Sequence, residues 1–228
     1  MTFNNMQNNP SIVIFLGKSG SGKGTQVELF RQKTGLDFLG SGELLRERKK
    51  ADDFTGRKIS QTIDNGGIVA TPVIFQLWMK NFEEFKRKPD FEGVILDGSP
   101  RKIKEVYLLE EALEWYEWDK NIKVLLIDIS DEEVIKRINK RRICSQCREI
   151  LIFEEGMEKC PKCGGELVKR PDDELSGVKK RLAWFEEEVM PVIDYYKDKG
   201  ELIIIDGEQK IEKVFEDILN ALKINDSN

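Results

Sequence analysis

The sequence predicts a doubly wound α/β fold: a parallel five-stranded sheet with helices on both faces. Short β-branched runs recur along the chain, and each is apolar without alternation, as in strands buried on both faces. Charged, amphipathic segments of helical character lie between them, the pattern of a sheet wound with crossovers. The first run also ends in a glycine-rich stretch that opens directly into a helical segment.

Ser11–Leu16 is a continuous apolar run stopped by Gly17. After the glycine-rich stretch, 26–33 reads as a helix, and Asp37–Leu39 as a weaker strand. Val94–Leu96 ends at Asp97-Gly98, and Lys123–Ile129 supplies a fourth strand. Ser130 followed by Glu133 has capping-box spacing for a helix carrying Val134, Ile135 and Ile138. Pro171-Asp172-Asp173 reads as the start of a helix reaching Tyr196, which Pro191 should kink or split. Leu202–Ile205, followed by Asp206-Gly207, completes the sheet. The Asn-rich residues 1–10 read as a frayed tail, as do the polar residues 225–228.

The 228 residues suit one core with modest insertions. Hydrophobic residues make up 39%, enough for a core, and no run approaches the roughly 20 apolar residues of a transmembrane helix. The start of the chain has no apolar run of signal-peptide type. The net charge of −5 argues against a general polyanion binder. There is no histidine, which excludes Ser-His and Cys-His catalysis and histidine metal sites.

Gly17-Lys18-Ser19-Gly20-Ser21-Gly22-Lys23-Gly24-Thr25 follows the first strand and matches a phosphate-binding loop with its hydroxyl one place late. Glycines let the backbone wrap a polyphosphate, successive N–H groups form an anion nest, and the helix N-terminus adds a positive dipole end. Lys23 supplies a point charge to the β and γ phosphates.

Cys144, Cys147, Cys160 and Cys163 form C-x2-C-x12-C-x2-C, with Pro161, Gly164 and Gly165 in the second knuckle. Two such pairs can close a tetrahedral four-thiolate zinc site. Four thiolates leave no open coordination position, so the zinc reads as structural. The competing reading is four unbound thiols or transient disulfides.

The narrower form Gly17 to Gln26, G-x-x-G-S-G-K-G-T-Q, resembles the adenylate kinase family of nucleoside monophosphate kinases. Further segments resemble the family's motifs in order: Ser41-Gly42-Glu43-Leu44-Leu45-Arg46, Asp64 to Val69, Asp97-Gly98-Ser99-Pro100-Arg101, Arg137 to Arg142, Arg170-Pro171-Asp172-Asp173 with Arg181, and Ile205-Asp206-Gly207. The resemblance implies phosphoryl transfer from ATP to AMP, with Mg²⁺ accompanying ATP. It implies a core (1–39, 70–139, 174–228), a monophosphate-binding insertion (40–69) and a zinc-binding lid (140–173). Catalytic roles fall on Lys23, Arg101, Arg137, Arg141, Arg170 and Arg181. ATP falls to Gly20, Ser21, Gly22, Lys23, Gly24, Thr25, Arg137, Arg141, Ile150, Leu151 and Gln209. AMP falls to Ser41, Gly42, Arg46, Gly67, Ile68, Val69, Gly98, Ser99, Pro100, Arg101, Glu105, Arg170 and Arg181. Thr25 and Asp97 are expected to organise Mg²⁺. The resemblance further implies a cytoplasmic monomer whose partners are ATP and AMP, with no nucleic acid and no membrane.

The chain departs from the family in places. Lys18-Ser19 replaces a small residue and Pro, and Ser99 replaces Phe. Asn139-Lys140 lacks the usual Gly before Arg-Arg, the linker between the cysteine pairs is short, and Ile150-Leu151 stands where relatives have polar or aromatic residues. Glu105 takes the place of a Gln that reads adenine. An ionised carboxylate only accepts hydrogen bonds and fits the N1–H/N2–H₂ edge of guanine better than N1 of adenine. Glu105 therefore either shifts the acceptor toward GMP or turns to solvent, with AMP the first acceptor and GMP the second. A third reading is a zinc-ribbon nucleic-acid-binding protein with a nucleotide switch. The acidic net charge and the single aromatic, Phe153, near the knuckles weigh against it.

Overall fold

The computed structural model describes residues 9–147, 149–153, 156–169 and 173–224. The expected tails at 1–8 and 225–228 lie outside the described residues. The first half of the chain forms β1 (Ser11–Leu16), α1 (Lys23–Thr34), β2 (Asp37–Gly40), α2 (Ser41–Arg48), α3 (Phe54–Asp64), α4 (Thr71–Lys86), β3 (Gly93–Asp97) and α5 (Ile103–Trp115). The second forms β4 (Ile122–Asp128), α6 (Asp131–Lys140), β5 (Arg141–Cys144), β6 (Ile150–Ile152), β7 (Leu167–Val168), α7 (Leu175–Trp184), α8 (Met190–Asp198), β8 (Leu202–Asp206) and α9 (Ile211–Ala221).

Five strands make one parallel sheet in the order β2-β3-β1-β4-β8. The middles of its central strands carry consecutive apolar residues because both faces are covered there. Ile12, Ile14 and Leu16 of β1 join Val94, Leu96, Val124 and Leu126 in a core with Trp78 and Phe82 of α4, Leu109 and Leu113 of α5, and Val192 and Tyr196 of α8. Val13 and Phe15 point the other way, with Ile95, Leu125 and Ile127, onto Val27 and Phe30 of α1 and Val214 and Ile218 of α9. Alternation therefore sorts residues between two cores rather than between core and water. The carboxyl ends of these strands carry Gly17, Asp97 and Asp206-Gly207, so the loops that follow share one rim, where open α/β sheets bind ligands.

Residues 40–69 hold α2 and α3. Between α6 and α7 the chain leaves the sheet and builds a small antiparallel one in the order β6-β5-β7. Among the described residues no helix is long and apolar enough to cross a membrane.

Two local expectations change. The first helix starts at Lys23, not Gln26, because Gly22 in the left-handed region already caps it. The capping box of α6 is half formed: Ser130 Oγ accepts from Glu133 N–H, but the Ser130 N–H and hydroxyl donate to Glu208 at 2.8 and 2.6 Å. Glu133 is taken instead by Arg137 and Lys136. The expected helix start at Pro171 and Asp172 lies outside the described residues, and α7 begins at Leu175. Pro191 does split the helical run. Phe185–Val189 winds as a π-helical turn, closed by Met190 N–H donating five residues back to Phe185, before α8 continues.

Candidate active site

The loop between β1 and α1 is packed against α6. Gly20 has φ +90°, and a Cβ there would come within 3.0 Å of Ile138 Cγ1, so only glycine lets the loop lie this close. Ser21 is buried, while Gly24 and Thr25 face outward at the start of α1. Lys23 reaches across to the end of β3 and pairs with Asp97, so each moderates the other's charge at the rim. Gln26, inside α1, is buried and donates to Ile211 O at 3.0 Å, tying the loop helix to α9.

After β3 the chain turns through Gly98, Ser99 and Pro100, all buried. Gly98 has φ +70°, and a Cβ there would meet Arg101 Nη2 at 2.9 Å. Arg101 Nε donates to Gly98 O at 2.7 Å, and its guanidinium lies 5.6 Å from the centre of the Trp184 ring. Burial lowers the Arg101 pKa, opposed by the Asp97 and Glu105 charges. Ser99 meets Ser41, the first residue of α2, hydroxyl to hydroxyl. Gly42 and Arg46 follow on α2, with Arg46 exposed and its guanidinium close against Gly42. Gly67, Ile68 and Val69 form the link between α3 and α4; Val69 is buried.

The alternative that Glu105 turns to solvent is overturned. Glu105 is 2% exposed, in the first turn of α5, and its Oε2 accepts from the Arg101 backbone N–H at 2.7 Å. A helix N-terminus offers unpaired N–H groups, which draw a carboxylate inward. Burial raises its pKa, while the bond from Arg101 and the nearby Arg101 and Lys102 charges oppose the rise.

Two of the predicted arginines contact the loop, and a third joins one of them through a shared carboxylate. Arg137 of α6 donates to Ser21 O at 3.2 Å and Gly207 O at 2.8 Å, with Nε on Glu133 at 2.7 Å, so it stitches the loop to the turn after β8. Arg141 grips Asp173 with both Nε, at 2.8 Å, and Nη2. Arg181 of α7 donates to the same carboxylate at 3.1 Å and to Ser19 Oγ of the loop at 3.0 Å. The Asp173 side chain is 2% exposed; burial pushes its pKa up, but the bonds and charges of Arg141 and Arg181 outweigh this and leave it lowered. Arg170 lies outside the described residues. Gln209 bonds Asp217 at 2.9 Å and Asp206 O at 3.2 Å. Ile150 and Leu151 sit on β6 in the small sheet, Ile150 half exposed and Leu151 less so.

The four cysteine Sγ atoms lie within 4.8 Å of one another. Cys144 and Cys163 are 3.4 Å apart, and Cys147 and Cys160 3.6 Å, too long for disulfides. Zn–S bonds of about 2.3 Å in a tetrahedron put sulfurs roughly 3.8 Å apart, so the set fits zinc. Burial raises the Cys144 thiol, but N–H groups of Cys147 and Gln146 and neighbouring thiols draw it down to about 6. For Cys147 the Glu149 N–H acts downward, but burial and the sulfurs around it push it up to about 12. Thiols this close share protons, the condition a cation relieves.

The sequence marks Lys18-Ser19 as a departure from the family and Asp173 as part of a motif, but assigns none of the three a role in the site. Asp173 had a signal, the R-x-D-D motif, but a buried acid between two arginines is legible only in three dimensions. Lys18 donates to Ile129 O at 3.0 Å and pairs with Asp131 at 2.6 Å, a contact across more than a hundred residues with no local signature.

The adenylate kinase family model matches residues 15–201. Adenylate kinase of Chlamydia trachomatis serovar D is 37% identical over 227 residues, covering 95% of this chain and 92% of that protein. The Archaeoglobus fulgidus adenylate kinase is 37% identical over 212 residues, 90% of this chain and 95% of its own. That of Caldicellulosiruptor bescii is 35% identical over 219 residues, 93% and 99%. With the phosphate loop, the arginine cluster and the four-cysteine insertion in one order along the chain, the protein belongs to the adenylate kinase family.

Proposed function

We propose that the protein catalyses reversible transfer of the terminal phosphoryl group of ATP to AMP, giving two ADP. The observation that carries the reading is the approach of Arg137 and Arg181 to the glycine-rich loop that holds Lys23, with Arg101 held at the neighbouring strand end. An oxygen of the AMP α-phosphate attacks the γ-phosphorus, the bond to the β–γ bridging oxygen breaks, and the leaving ADP keeps the electron pair. The attacking oxygen is already an anion, so no general base is needed, in keeping with a chain that lacks histidine. What such a transfer asks of the protein is positioning and cations placed where charge develops.

In this reading the loop amides and Lys23 hold the ATP phosphates, and Lys23 exchanges Asp97 for phosphate oxygens. Arg101 and Arg46 clamp the acceptor phosphate, for which a planar guanidinium fork is suited. Arg137, Arg141, Arg170 and Arg181 surround the transferred group. Thr25 and Asp97 would organise the Mg²⁺ that travels with ATP and neutralises part of its charge. A zinc ion on the four cysteines would act as a structural brace for the insertion.

A coupled phosphotransfer assay with ATP and each of AMP, GMP, CMP and UMP tests the reading. AMP is expected to be the best acceptor, and Lys23→Met and Arg101→Ala should each lower kcat/KM by roughly 10²-fold. Turnover near that of the parent in either variant would remove that residue from the mechanism.

A further inference from the structure

Positions 18 and 19 of the phosphate loop carry side chains with long-range partners, and the partners lie on the two helices that flank the insertion. Lys18 is pinned to the start of α6, through Asp131 and the carbonyl of Ile129. Ser19 presents its hydroxyl to Arg181 of α7 at 3.0 Å. The two helices are themselves packed together through Val134 and Ile138 on one side and Val178 and Leu182 on the other.

Arg181 is the pivotal partner. Its side chain is largely buried, one end on Ser19 and the other on Asp173, which Arg141 also grips. A row Ser19–Arg181–Asp173–Arg141 thus runs from the phosphate loop into the root of the insertion. Asp173 accepts from one arm of the Arg181 guanidinium, on the side of Arg141, and the Ser19 hydroxyl accepts from the other arm at the loop. A long side chain has many rotamers, and a fixed partner at the loop narrows them before substrate arrives.

We propose that Ser19 is a positioning residue: its hydroxyl seats the Arg181 guanidinium on the phosphate loop, so that the cation is aligned with the transferring phosphoryl group. The assignment rests on the phosphotransfer reading for its consequence, but not for the contact itself. Losing the hydroxyl should affect the chemical step more than substrate binding, since the loop amides and Lys23 remain in place.

The test is a double-mutant cycle of Ser19→Ala and Arg181→Ala, read by steady-state kinetics with ATP and AMP and, separately, by thermal unfolding. Ser19→Ala is expected to lower kcat roughly tenfold, the scale of one hydrogen bond to a charged group, with a smaller change in KM for AMP. Ser19→Thr should recover most of the loss. In the Arg181→Ala background, Ser19→Ala should have no further effect. Effects on kcat that multiply independently would mean that Ser19 acts on its own, and full activity of Ser19→Ala would mean that it positions nothing; either result overturns the proposal. If the parent protein transferred no phosphate to any monophosphate, the functional reading would fall, and the tether would be judged by melting temperatures. Non-additive shifts in the same cycle would sustain it, and additive shifts would overturn it.

Discussion

At the scale of single residues, the buried acids are the most informative. Glu105 accepts from Arg101 N–H with one oxygen and is shut off from water, so its second oxygen has few partners to choose from. Glu105→Gln keeps an acceptor for Arg101 and adds a donor. If the second oxygen faces the acceptor base, kcat/KM for AMP should rise by about 1–2 kcal/mol equivalent, a relieved polar mismatch, and the AMP:GMP ratio should rise with it. An unchanged ratio would show that Glu105 serves the helix terminus alone. Asp173 behaves oppositely. Its pKa is lowered in the fold, so its stabilising effect is complete above the unfolded carboxylate value near 3.8 and is lost as pH falls through the lower folded value. Asp173→Asn should cost about 3 kcal/mol at neutral pH, because two guanidinia lose a buried counter-charge. Melting curves from about pH 5 down to about pH 2 check this: the variant should lose part of the parent's acid-side slope. Glu105 was legible in the sequence as a substitution at a position of interest, yet its burial was not, because an exposed glutamate is the ordinary case.

At the scale of elements, the strands were legible and the joints between elements were not. The run 12–16 declares itself because a stretch buried on both faces leaves no polar position. Pro191 announced a break because it has no N–H to donate, and the chain answers with a π-helical turn. The capping box misled for a physical reason: Glu208, 78 residues away, outcompetes Glu133 for the Ser130 N–H, and no local pattern encodes such a rival. The four-cysteine element is the clearest signature of all, since two knuckles with fixed spacing have few other uses. Its small sheet has short strands and half-exposed Ile150 and Ile152, too little apolar burial to hold itself together. Purified protein should therefore contain one zinc per chain, and Cys160→Ser or chelation should lower the melting temperature. Elemental analysis finding no zinc, with no change in melting on its addition, would remove the site.

At the scale of the whole molecule, the sheet separates two cores that differ in partners but share the same strands, and the loops at its carboxyl rim carry the chemistry. Truncating Phe15, fully buried between β1 and α1, should cost about 3–5 kcal/mol while leaving KM values near those of the parent. Urea unfolding alongside kinetics separates the two effects. The Arg141–Asp173 grip has a further consequence. It fastens the outgoing and returning strands of the insertion to each other at the point where they leave the body of the protein. The body therefore has a closed socket, and what is mounted on it is an interchangeable part. Replacing 145–168 with a short glycine-serine bridge shortens the excursion roughly fivefold and eases its closure by about 1.4 kcal/mol. The remainder should still unfold in one cooperative step, at a temperature no lower than that of the parent. A socket of this kind is where an unrelated sensor or binding module could be grafted, with Arg181, bonded to both Asp173 and the phosphate loop, as the wire between the two.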